Sequence, residues 1–320
     1  MQDSQSLISI EPPKQKNSHL VYIASTGRSG STLLELLLAS FEHVWTMGEI
    51  YVLPLEIKHN NRPCGCGKEV TECTFWSQII KKNKILQKTD NNISLFRENY
   101  SGGKFFRIKE LLDIIFRKNI TKFRRLNEFC IDNSHLFTAI QQEAIKFTQQ
   151  KIKYLIDSSK DFYRLFWLSN CYNIDLKVIH IVKNPQAYVY SNIKTKQNFL
   201  VKIKQSIRMS IRYVIENWLI EKICNNLPKK NYILIRYEDL ASSPLLVLRK
   251  ISDWLQLPFE SHIVSSFRFK VNHGIAGNMM RYNVKNINLD EQWKQDMSLL
   301  NRMIVILFAF IYYIKYGYNF

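Results

Sequence analysis

The sequence has few of the residues that break regular secondary structure. Only 10 glycines and 8 prolines occur among its 320 residues, which argues against collagen-like, linker-rich and turn-dense all-β architectures. Acidic residues are also scarce, because 27 Asp and Glu stand against 45 Lys and Arg, and the formal net charge is +18. This excess favours a polyanionic partner: a phosphorylated cofactor, an acidic substrate, nucleic acid or a membrane surface.

Cysteines and long apolar segments are scarce as well. Six cysteines in a chain of this length do not make a disulfide scaffold. The stretch Met1–Lys16 is polar and lacks the apolar region of a signal peptide. The most apolar stretch, Met303–Ile314, would span about 18 Å as a helix against roughly 30 Å of hydrocarbon. We therefore expect a cytoplasmic protein without a transmembrane segment, whose C-terminal helix is buried; a helix on the inner membrane surface is the alternative.

The positive charge is concentrated in two segments. Ser77–Arg125 carries 13 Lys and Arg against 4 Asp and Glu, and Lys183–Ile215 carries 7 against none. Compositional drift explains the first segment about as well as a function does. Its aromatic residues also permit nucleic-acid binding, but no nucleic-acid-binding module is recognisable, so we expect no nucleic-acid partner.

Short apolar runs that each precede a polar turn and a helical pattern define the fold class. The runs are Leu20–Ala24, Tyr154–Ile156, Lys177–Val182 and Tyr232–Ile235. Strands that alternate with helices predict an α/β fold with a P-loop-like, doubly wound parallel sheet flanked by helices. We expect a polar tail over 1–19 and a single domain over 20–320, with a helical, basic insertion at about 60–150.

The first predicted strand ends in a loop suited to binding phosphate. Ser25–Thr32 reads STGRSGST and leads into a leucine-rich helix, so backbone N–H groups at the helix N-terminus can hold an anion. Aligned with the G-x-x-x-x-G-K-[ST] motif, the loop has Ser31 where nucleotide kinases have lysine. Arg28 supplies the positive charge instead, and a guanidinium with several hydroxyls suits a 5′-phosphate beside a second oxyanion.

A second anion site follows the strand Lys177–Val182. Lys183 comes directly after this strand, and Ser191 lies two turns into the next helix. Open α/β sheets bind ligands at the carboxyl ends of their strands, so Lys183 and Ser191 can converge on one phosphate there. Together with the loop, this predicts a nucleotide that has two separated phosphate groups.

These motifs, in this order, resemble the sulfotransferases that use 3′-phosphoadenosine 5′-phosphosulfate, and the resemblance runs from residue 20 to the C-terminus. The stretch Gly27–Leu34 matches the 5′-phosphosulfate loop of that family. Further matching elements are Gly48-Glu49, the pattern Cys64-x-Cys66-Gly67…Cys73-x-Phe75-Trp76 typical of the bacterial branch, Asp157-Ser158-Ser159-Lys160, Tyr237–Leu240, His273…Gly277-Asn278-x-x-Arg281 and Gly317-Tyr318.

The resemblance implies roles for particular residues. Thr26, Gly27, Arg28, Ser29, Gly30, Ser31 and Thr32 would bind the 5′ groups of the donor, and Lys183, Ser191 and Arg281 would bind its 3′-phosphate. The family's usual R-D-P-R element reads Lys183-Asn184-Pro185-Gln186 here, which makes the 3′ assignment weaker than that of the loop. We expect Lys160 and Arg28 to stabilise the departing oxygen.

A histidine base is missing from the position where some members carry it, because that position reads Ser159-Lys160-Asp161-Phe162. The tyrosylprotein branch instead uses a glutamate in a Gly-Glu pair, and Glu49 resembles that residue. We expect Glu49 to be the general base and Glu35, on the helix that follows the loop, to be a solvated surface group.

The cysteine cluster is not assigned by this chemistry, which requires no metal. Cys64, Cys66 and Cys73, with His59 nearby in the sequence, could ligate zinc. Packing, or a disulfide between two of the three, is the favoured alternative because the spacing is not a standard one. We expect His180 to be a satisfied core residue and His273 to brace the Arg281 loop.

The acceptor is left open by the sequence. A hydroxyl on a carbohydrate or glycolipid is the working hypothesis, and a small metabolite or a tyrosine is the alternative. An anionic acceptor or one at the membrane surface would account for the basic segments. A P-loop small-molecule kinase and a basic nucleic-acid-binding protein are the alternative functions.

Overall fold

The computed structural model describes residues 18–59, 62–83, 86, 104–116, 124–196, 198–267, 269–282 and 286–320. Most of the expected polar tail and much of the basic segment Ser77–Arg125 lie outside the described residues. The strands are β1 (Ser18–Ala24), β2 (Val44–Gly48), β3 (Tyr154–Asp157), β4 (Ile174–Val182) and β5 (Tyr232–Arg236).

The helices divide into those before and those after β4. The earlier ones are α1 (Ser31–Leu38), α2 (Leu53–His59), α3 (Trp76–Lys82), α4 (Lys104–Ile115), α5 (Arg124–Thr148) and α6 (Phe162–Ser169). The later ones are α7 (Pro185–Ile193), α8 (Phe199–Cys224), α9 (Tyr237–Ser242), α10 (Pro244–Leu255), α11 (Ile263–Ser266), α12 (Trp293–Asp296) and α13 (Leu299–Tyr316). Short 3-10 turns occupy Ile50–Val52, Lys229–Asn231 and Met279–Tyr282.

The five strands form one parallel sheet in the order β2-β3-β1-β4-β5. The predicted parallel α/β fold is therefore confirmed, and its four predicted strands are β1, β3, β4 and β5. Strand β2 was not predicted. The chain leaves β1 toward one edge of the sheet and later returns to fill the other side with β4. This reversal creates a crevice at the carboxyl ends of β1 and β4, where open α/β sheets bind ligands.

Both faces of the sheet are buried, which explains the uninterrupted apolar runs. Along β1, Leu20, Tyr22 and Ala24 pack on one face, while Val21 and Ile23 pack on the other. The face shared by Leu20 and Tyr22 is covered by residues of α5 and α6, including Phe129 and Trp167. The opposite face is covered by leucines of α1 and by residues of α10. The central strand thus fixes the position of the loop that follows it.

A third apolar cluster joins α7, α8 and α13 beside the sheet. Ser206 of α8 hydrogen-bonds Asn301 of α13, and Glu221 accepts hydrogen bonds from Lys315 and Tyr316 at the other end of the pair. Helices α8 and α13 therefore run side by side in the same direction.

The C-terminal helix differs from the expectation that it would be buried. Only one face of α13 packs inward, with Val305 and Ala309 fully buried, while Leu307 and Ile311 are more than two-thirds exposed. By length and composition alone α13 could cross a membrane, with a mean hydropathy of 1.5 over 18 residues. Since its inner face belongs to the core, we describe it as a core helix with an apolar outer face.

One covalent cross-link lies outside the sheet. Cys130 of α5 and Cys171, just after α6, form a disulfide that closes a sequence separation of 41 residues. No sequence pattern predicted this pair. The other four cysteines, Cys64, Cys66, Cys73 and Cys224, are free thiols.

Candidate functional site

The loop after β1 forms a cradle of buried hydroxyls at the N-terminus of α1. Ser25, Thr26, Ser29, Ser31 and Thr32 are all at most 5% exposed. Thr26 Oγ1 and Ser29 Oγ lie 2.6 Å apart and share a hydrogen bond, whereas the buried Ser25 Oγ has no hydrogen-bond partner among the residues that the structure describes. A buried hydroxyl without a partner at a helix N-terminus has hydrogen-bonding capacity to offer an anion.

Two residues of the loop adopt left-handed backbone conformations. Arg28 has φ of 64° and Gly30 has φ of 87°. A Cβ on Gly30 would lie 2.3 Å from Cδ2 of Tyr237, so only glycine fits between α1 and that ring. Arg28 is exposed at the tip of the loop, where its guanidinium can reach a ligand.

Strand β2 delivers Glu49 to the same edge of the sheet. Gly48 has φ of 74°, and a Cβ there would lie 2.2 Å from the backbone of Ile275. Ile275 hydrogen-bonds both sides of this position, since its N–H donates to Met47 O at 2.9 Å and its carbonyl accepts from Glu49 N at 2.8 Å. The glycine therefore permits a close backbone approach that fixes the backbone of Glu49.

Glu49 and Lys160 form an ion pair at the ends of β2 and β3. Lys160 Nζ donates to Glu49 Oε1 at 2.6 Å, and the two side chains are 18% and 13% exposed. Lys160 sits in the left-handed region with φ of 62°, a conformation that a β-branched residue would not tolerate. The predicted base and the predicted catalytic lysine are thus in direct contact.

Asp157 stabilises the turn that carries Lys160 through hydrogen bonds and an ion pair. Its carboxylate accepts from the Ser159 N–H at 2.9 Å, from the Ser159 hydroxyl, and from Arg164 Nε at 2.9 Å. Asp157 and Arg164 are both at least 98% buried. Asp161 then caps α6 by accepting from the N–H groups of Tyr163 and Arg164. This network positions Lys160.

Lys183, directly after β4, is buried at 6% exposure. Its Nζ lies 4.6 Å from the centroid of the Tyr237 ring, a cation–π contact. Burial lowers the pKa of Lys183, while Asp290 and Glu238 act to raise it. Within the described part of the chain no carboxylate lies within ion-pair distance of its amino group, so the charge remains able to bind an anion.

One cleft, of about 280 Å³, brings most of the predicted residues together. Among its lining residues are Arg28, Gly30, Ser31, Thr32, Lys160, Lys183 and Ser191. Glu49 contacts Lys160, which lines the cleft. Thr26, Gly27 and Ser29 belong to the loop that forms its wall. The Ser191 hydroxyl donates to the Tyr188 carbonyl at 2.7 Å, so it must rotate in order to donate to a ligand.

Arg281 lies elsewhere. Its guanidinium is 0% exposed and donates through Nη2 to Glu35 Oε2 at 3.1 Å. The same carboxylate oxygen accepts from the Ser158 hydroxyl at 2.7 Å. The expectation that Glu35 would be a solvated surface group is wrong, because the helix turns this carboxylate toward the buried Arg281. The structure does not bring Arg281 into the cleft.

Several cleft residues were not predicted as site residues. They are Tyr237, which supports Lys183, and Lys194, Asn278, Asn286, Asn288 and Asp290. The segment around Asp290 shows no motif of its own, and only the fold brings it to this edge of the sheet. Lys194 belongs to the second basic segment, whose charge could have drawn attention to it.

Chemically, the cleft combines a helix N-terminus, an arginine and three lysines, one of which is paired with the carboxylate of Glu49. Cations and amides from separate strand ends suit a ligand with two anionic groups. A carboxylate beside a lysine suits proton abstraction next to developing negative charge. The α/β fold and this cleft suit an enzyme that transfers an anionic group.

Comparison with known proteins specifies the class. A model of the sulfotransferase family matches residues 21–261, and the chain belongs to that family. A search of curated proteins finds no match. Among solved structures, the sulfotransferase domain of the Synechococcus PCC 7002 olefin synthase is 19% identical with a TM-score of 0.53, and the match covers 97% of this chain and 98% of that one. Sulfotransferase STF9 from Mycobacterium avium is 11% identical with a TM-score of 0.49, covering 94% and 78%.

Proposed function

We propose that the enzyme transfers a sulfuryl group from 3′-phosphoadenosine 5′-phosphosulfate to an acceptor hydroxyl. The observation that carries the proposal is the single cleft lined both by the loop with Arg28 and by Lys183 with Ser191. A nucleotide with phosphates on both its 3′ and 5′ positions needs two such anion sites, whereas the triphosphate chain of ATP does not. Ser31 in place of the kinase lysine supports the same choice.

The residues present fit that donor. Buried hydroxyls and the N-terminus of α1 would hold its 5′ groups with Arg28, and the Ser25 hydroxyl, unpaired among the described residues, offers one more donor. In the described part of the chain, a Cβ on Gly27 would meet nothing within 4 Å, which leaves space beside the loop for a ligand. Lys183 and Ser191 would hold the 3′-phosphate. Arg281 would act instead as a positioning residue, by fixing Glu35 and Ser158 beneath the loop.

Glu49 would take the proton of the acceptor hydroxyl, and Lys160 would stabilise the charge on the departing oxygen. The Glu49 carboxylate accepts the proton of the acceptor hydroxyl, whose oxygen forms the new bond to sulfur as the bond from sulfur to the phosphate oxygen breaks. The donor, when bound, supplies the sulfuryl group. Lys160 and Arg28 stabilise the negative charge that develops on the departing oxygen. The contact of 2.6 Å between Lys160 and Glu49 keeps both groups at one point of the cleft.

Calorimetry tests the donor assignment without knowledge of the acceptor. Adenosine 3′,5′-bisphosphate should bind at least about 10-fold more tightly than ATP, since one good charged hydrogen bond contributes about 1.5–3 kcal/mol. Asp175→Asn, at an exposed pair with His19 on the opposite end of the sheet, is the control and should bind both ligands as the wild type does. Tight binding of ATP without binding of the bisphosphate would overturn the proposal.

For the acceptor, we propose a carbohydrate or glycolipid hydroxyl presented at the cytoplasmic membrane surface. The outer face of α13 exposes an apolar stripe at helical spacing, formed by Leu300, Met303, Leu307, Ile311 and Ile314. Such a stripe on an amphipathic helix suits the boundary between headgroups and acyl chains.

Basic residues lie near the N-terminal end of the same helix. Lys194, Phe199 and Lys202 line a second cleft together with Ser298 and Asn301 at the start of α13. Lys194 also lines the donor cleft, so the two clefts share this lysine. The complementary partner of an apolar stripe with lysines at its end is an anionic lipid surface.

Sedimentation with lipid vesicles tests the proposed binding to an anionic membrane surface independently of the donor assignment. The protein should sediment with phosphatidylglycerol vesicles and much less with phosphatidylcholine vesicles. Leu307→Glu should reduce sedimentation several-fold, whereas Leu246→Glu, at an equally exposed leucine on α10, should not. If the wild type sediments with neither vesicle type, or if the two variants sediment to the same extent, the membrane-surface proposal fails. Neither result affects the donor assignment.

A further inference from the structure

Four metal-ligating side chains meet outside the donor cleft. They are Cys64, Cys66, Cys73 and His273, and their ligand atoms all lie within 4.8 Å of one another. The sequence suggested His59 as a fourth member because it is near in the chain, but His59 is exposed at the end of α2 and is not part of this cluster. His273, which was expected only to brace the Arg281 loop, takes that place from 200 residues away.

The local backbone builds the cluster from two directions. The Cys64 N–H donates to Lys68 O at 2.8 Å, and the Gly67 N–H donates back to Cys64 O at 2.8 Å, with Gly67 at φ of 86°. This tight turn presents Cys64 and Cys66 on one side. Cys73 follows at the start of the turn into α3, where its carbonyl accepts from Ser77 N.

The segment that carries His273 is tied to this turn by main-chain and side-chain hydrogen bonds. Gly65 N donates to Gly274 O at 2.9 Å, and Trp76 Nε1 donates to the His273 carbonyl at 2.6 Å. Nδ1 of His273 then lies 3.1 Å from Cys73 Sγ and 3.8 Å from Cys64 Sγ. The imidazole is therefore aimed at the thiols by groups on both sides of it.

We propose that Cys64, Cys66, Cys73 and His273 bind one structural zinc ion. Zinc bound tetrahedrally at about 2.3 Å to sulfur and about 2.0–2.1 Å to nitrogen separates its ligand atoms by about 3.5–3.8 Å. The separations in the cluster bracket these values, so small shifts of the side chains complete the tetrahedron. Three cysteines and one histidine are an established set for closed structural sites, and no position is left for a substrate.

The surroundings agree with a structural role. Cys64 and Cys73 are 0% exposed and His273 is 4% exposed. Aromatic rings enclose the imidazole: Trp45 stacks on it at a centroid distance of 5.8 Å, and Phe75 and Phe147 lie at 5.5 and 4.9 Å. Three thiols and an imidazole gathered in such an apolar setting are poorly satisfied by one another, and a shared cation satisfies all four.

The site has a consequence for the reaction centre. Two residues after His273, Ile275 makes the paired hydrogen bonds that hold Met47 and Glu49. Zinc would therefore fasten the segment 272–275 to the turn around Cys64 and so keep Glu49 in register. Metal binding and the placement of the base would be linked through the backbone.

The experiment is metal analysis of the full chain purified without chelator. We expect one zinc per chain by mass spectrometry, and replacement by Co²⁺ should give the visible bands of tetrahedral thiolate coordination. Cys66→Ser, at the half-buried ligand, should weaken zinc binding by roughly 100-fold or more. His59→Ala and Cys224→Ser, which lie outside the cluster, should keep one zinc per chain.

A wild-type measurement covers the case in which Cys66→Ser does not fold. Modification of the native protein with a thiol reagent should release zinc to a chromogenic indicator as three thiols react. Native protein that contains no zinc, or peptide mapping that shows a disulfide between any two of Cys64, Cys66 and Cys73 in that protein, would overturn the proposal. Loss of zinc in His59→Ala but not in Cys66→Ser would overturn the ligand set.

Discussion

Replacing Glu35 with glutamine removes the counter-ion of Arg281 and leaves a guanidinium buried in the protein. The two side chains are 0% and 1% exposed and meet at 3.1 Å. The pocket around Arg281 is tight, since a Cβ on Gly274 would come within 2.4 Å of its Nη1. The charge therefore has little room to turn toward water. Breaking a buried ion pair from one side costs about 3–5 kcal/mol, and we expect Glu35→Gln to lower the free energy of unfolding by that amount.

Equilibrium unfolding in urea, followed by circular dichroism, measures the effect. The control is Glu291→Gln, because Glu291 and Lys294 form a pair whose side chains are about half exposed, and removing such a pair costs less than about 1 kcal/mol. The double variant Glu35→Gln/Arg281→Met should lose less than the sum of the single changes, because it leaves no buried charge. Equal small losses for Glu35→Gln and Glu291→Gln would refute the claim that this pair is buried and coupled.

Three further predictions concern the cleft and the cross-link. Lys183→Met should weaken binding of adenosine 3′,5′-bisphosphate about 10–100-fold in calorimetry. Because burial lowers the pKa of Lys183, the affinity of the wild type should fall as pH rises through that pKa. Lys183→Arg, which stays charged over this pH range, should not show the fall. Gly30→Ala should destabilise the protein by about 1–3 kcal/mol because φ is 87° and Tyr237 blocks the Cβ, whereas Gly27→Ala, which meets nothing within 4 Å, should be near neutral in thermal unfolding. Opening the Cys130–Cys171 disulfide, which closes 41 residues, should cost about 4 kcal/mol; an unfolding midpoint that phosphine reductant leaves unchanged would contradict this.

The sequence was sufficient to predict those strands that a local pattern of residues marks. The uninterrupted apolar runs predicted β1, β3, β4 and β5, because a parallel strand buried on both faces needs no polar alternation. Strand β2 was missed because Val44–Gly48 is short and includes Thr46 and a terminal glycine, so it lacks the apolar run that marks its neighbours. Its position matters, since it brings Glu49 into contact with Lys160, which lines the cleft.

Contacts between distant residues could not be predicted in this way. Glu35 and Arg281 are 246 residues apart, and Cys73 and His273 are 200 apart. Neither pair leaves a signal in local periodicity, because a lone glutamate on a helix and a histidine in a loop are ordinarily solvent-exposed. The hydroxyl-rich loop after β1, by contrast, could be found from its residues, since its hydroxyls and glycines are contiguous in the chain.

The most direct measurement of the central claim is transfer of radiolabelled sulfate from 3′-phosphoadenosine 5′-phosphosulfate to a panel of carbohydrate, glycolipid, phenolic and peptide acceptors. We expect the wild type to label at least one hydroxyl acceptor. Glu49→Gln should lower the rate about 10²–10⁴-fold while its affinity for adenosine 3′,5′-bisphosphate stays the same, because glutamine can still accept the hydrogen bond from Lys160 but cannot take a proton. A near-normal rate in Glu49→Gln would contradict the assigned base, and transfer of phosphate from ATP in place of sulfate from the labelled donor would contradict the reaction itself.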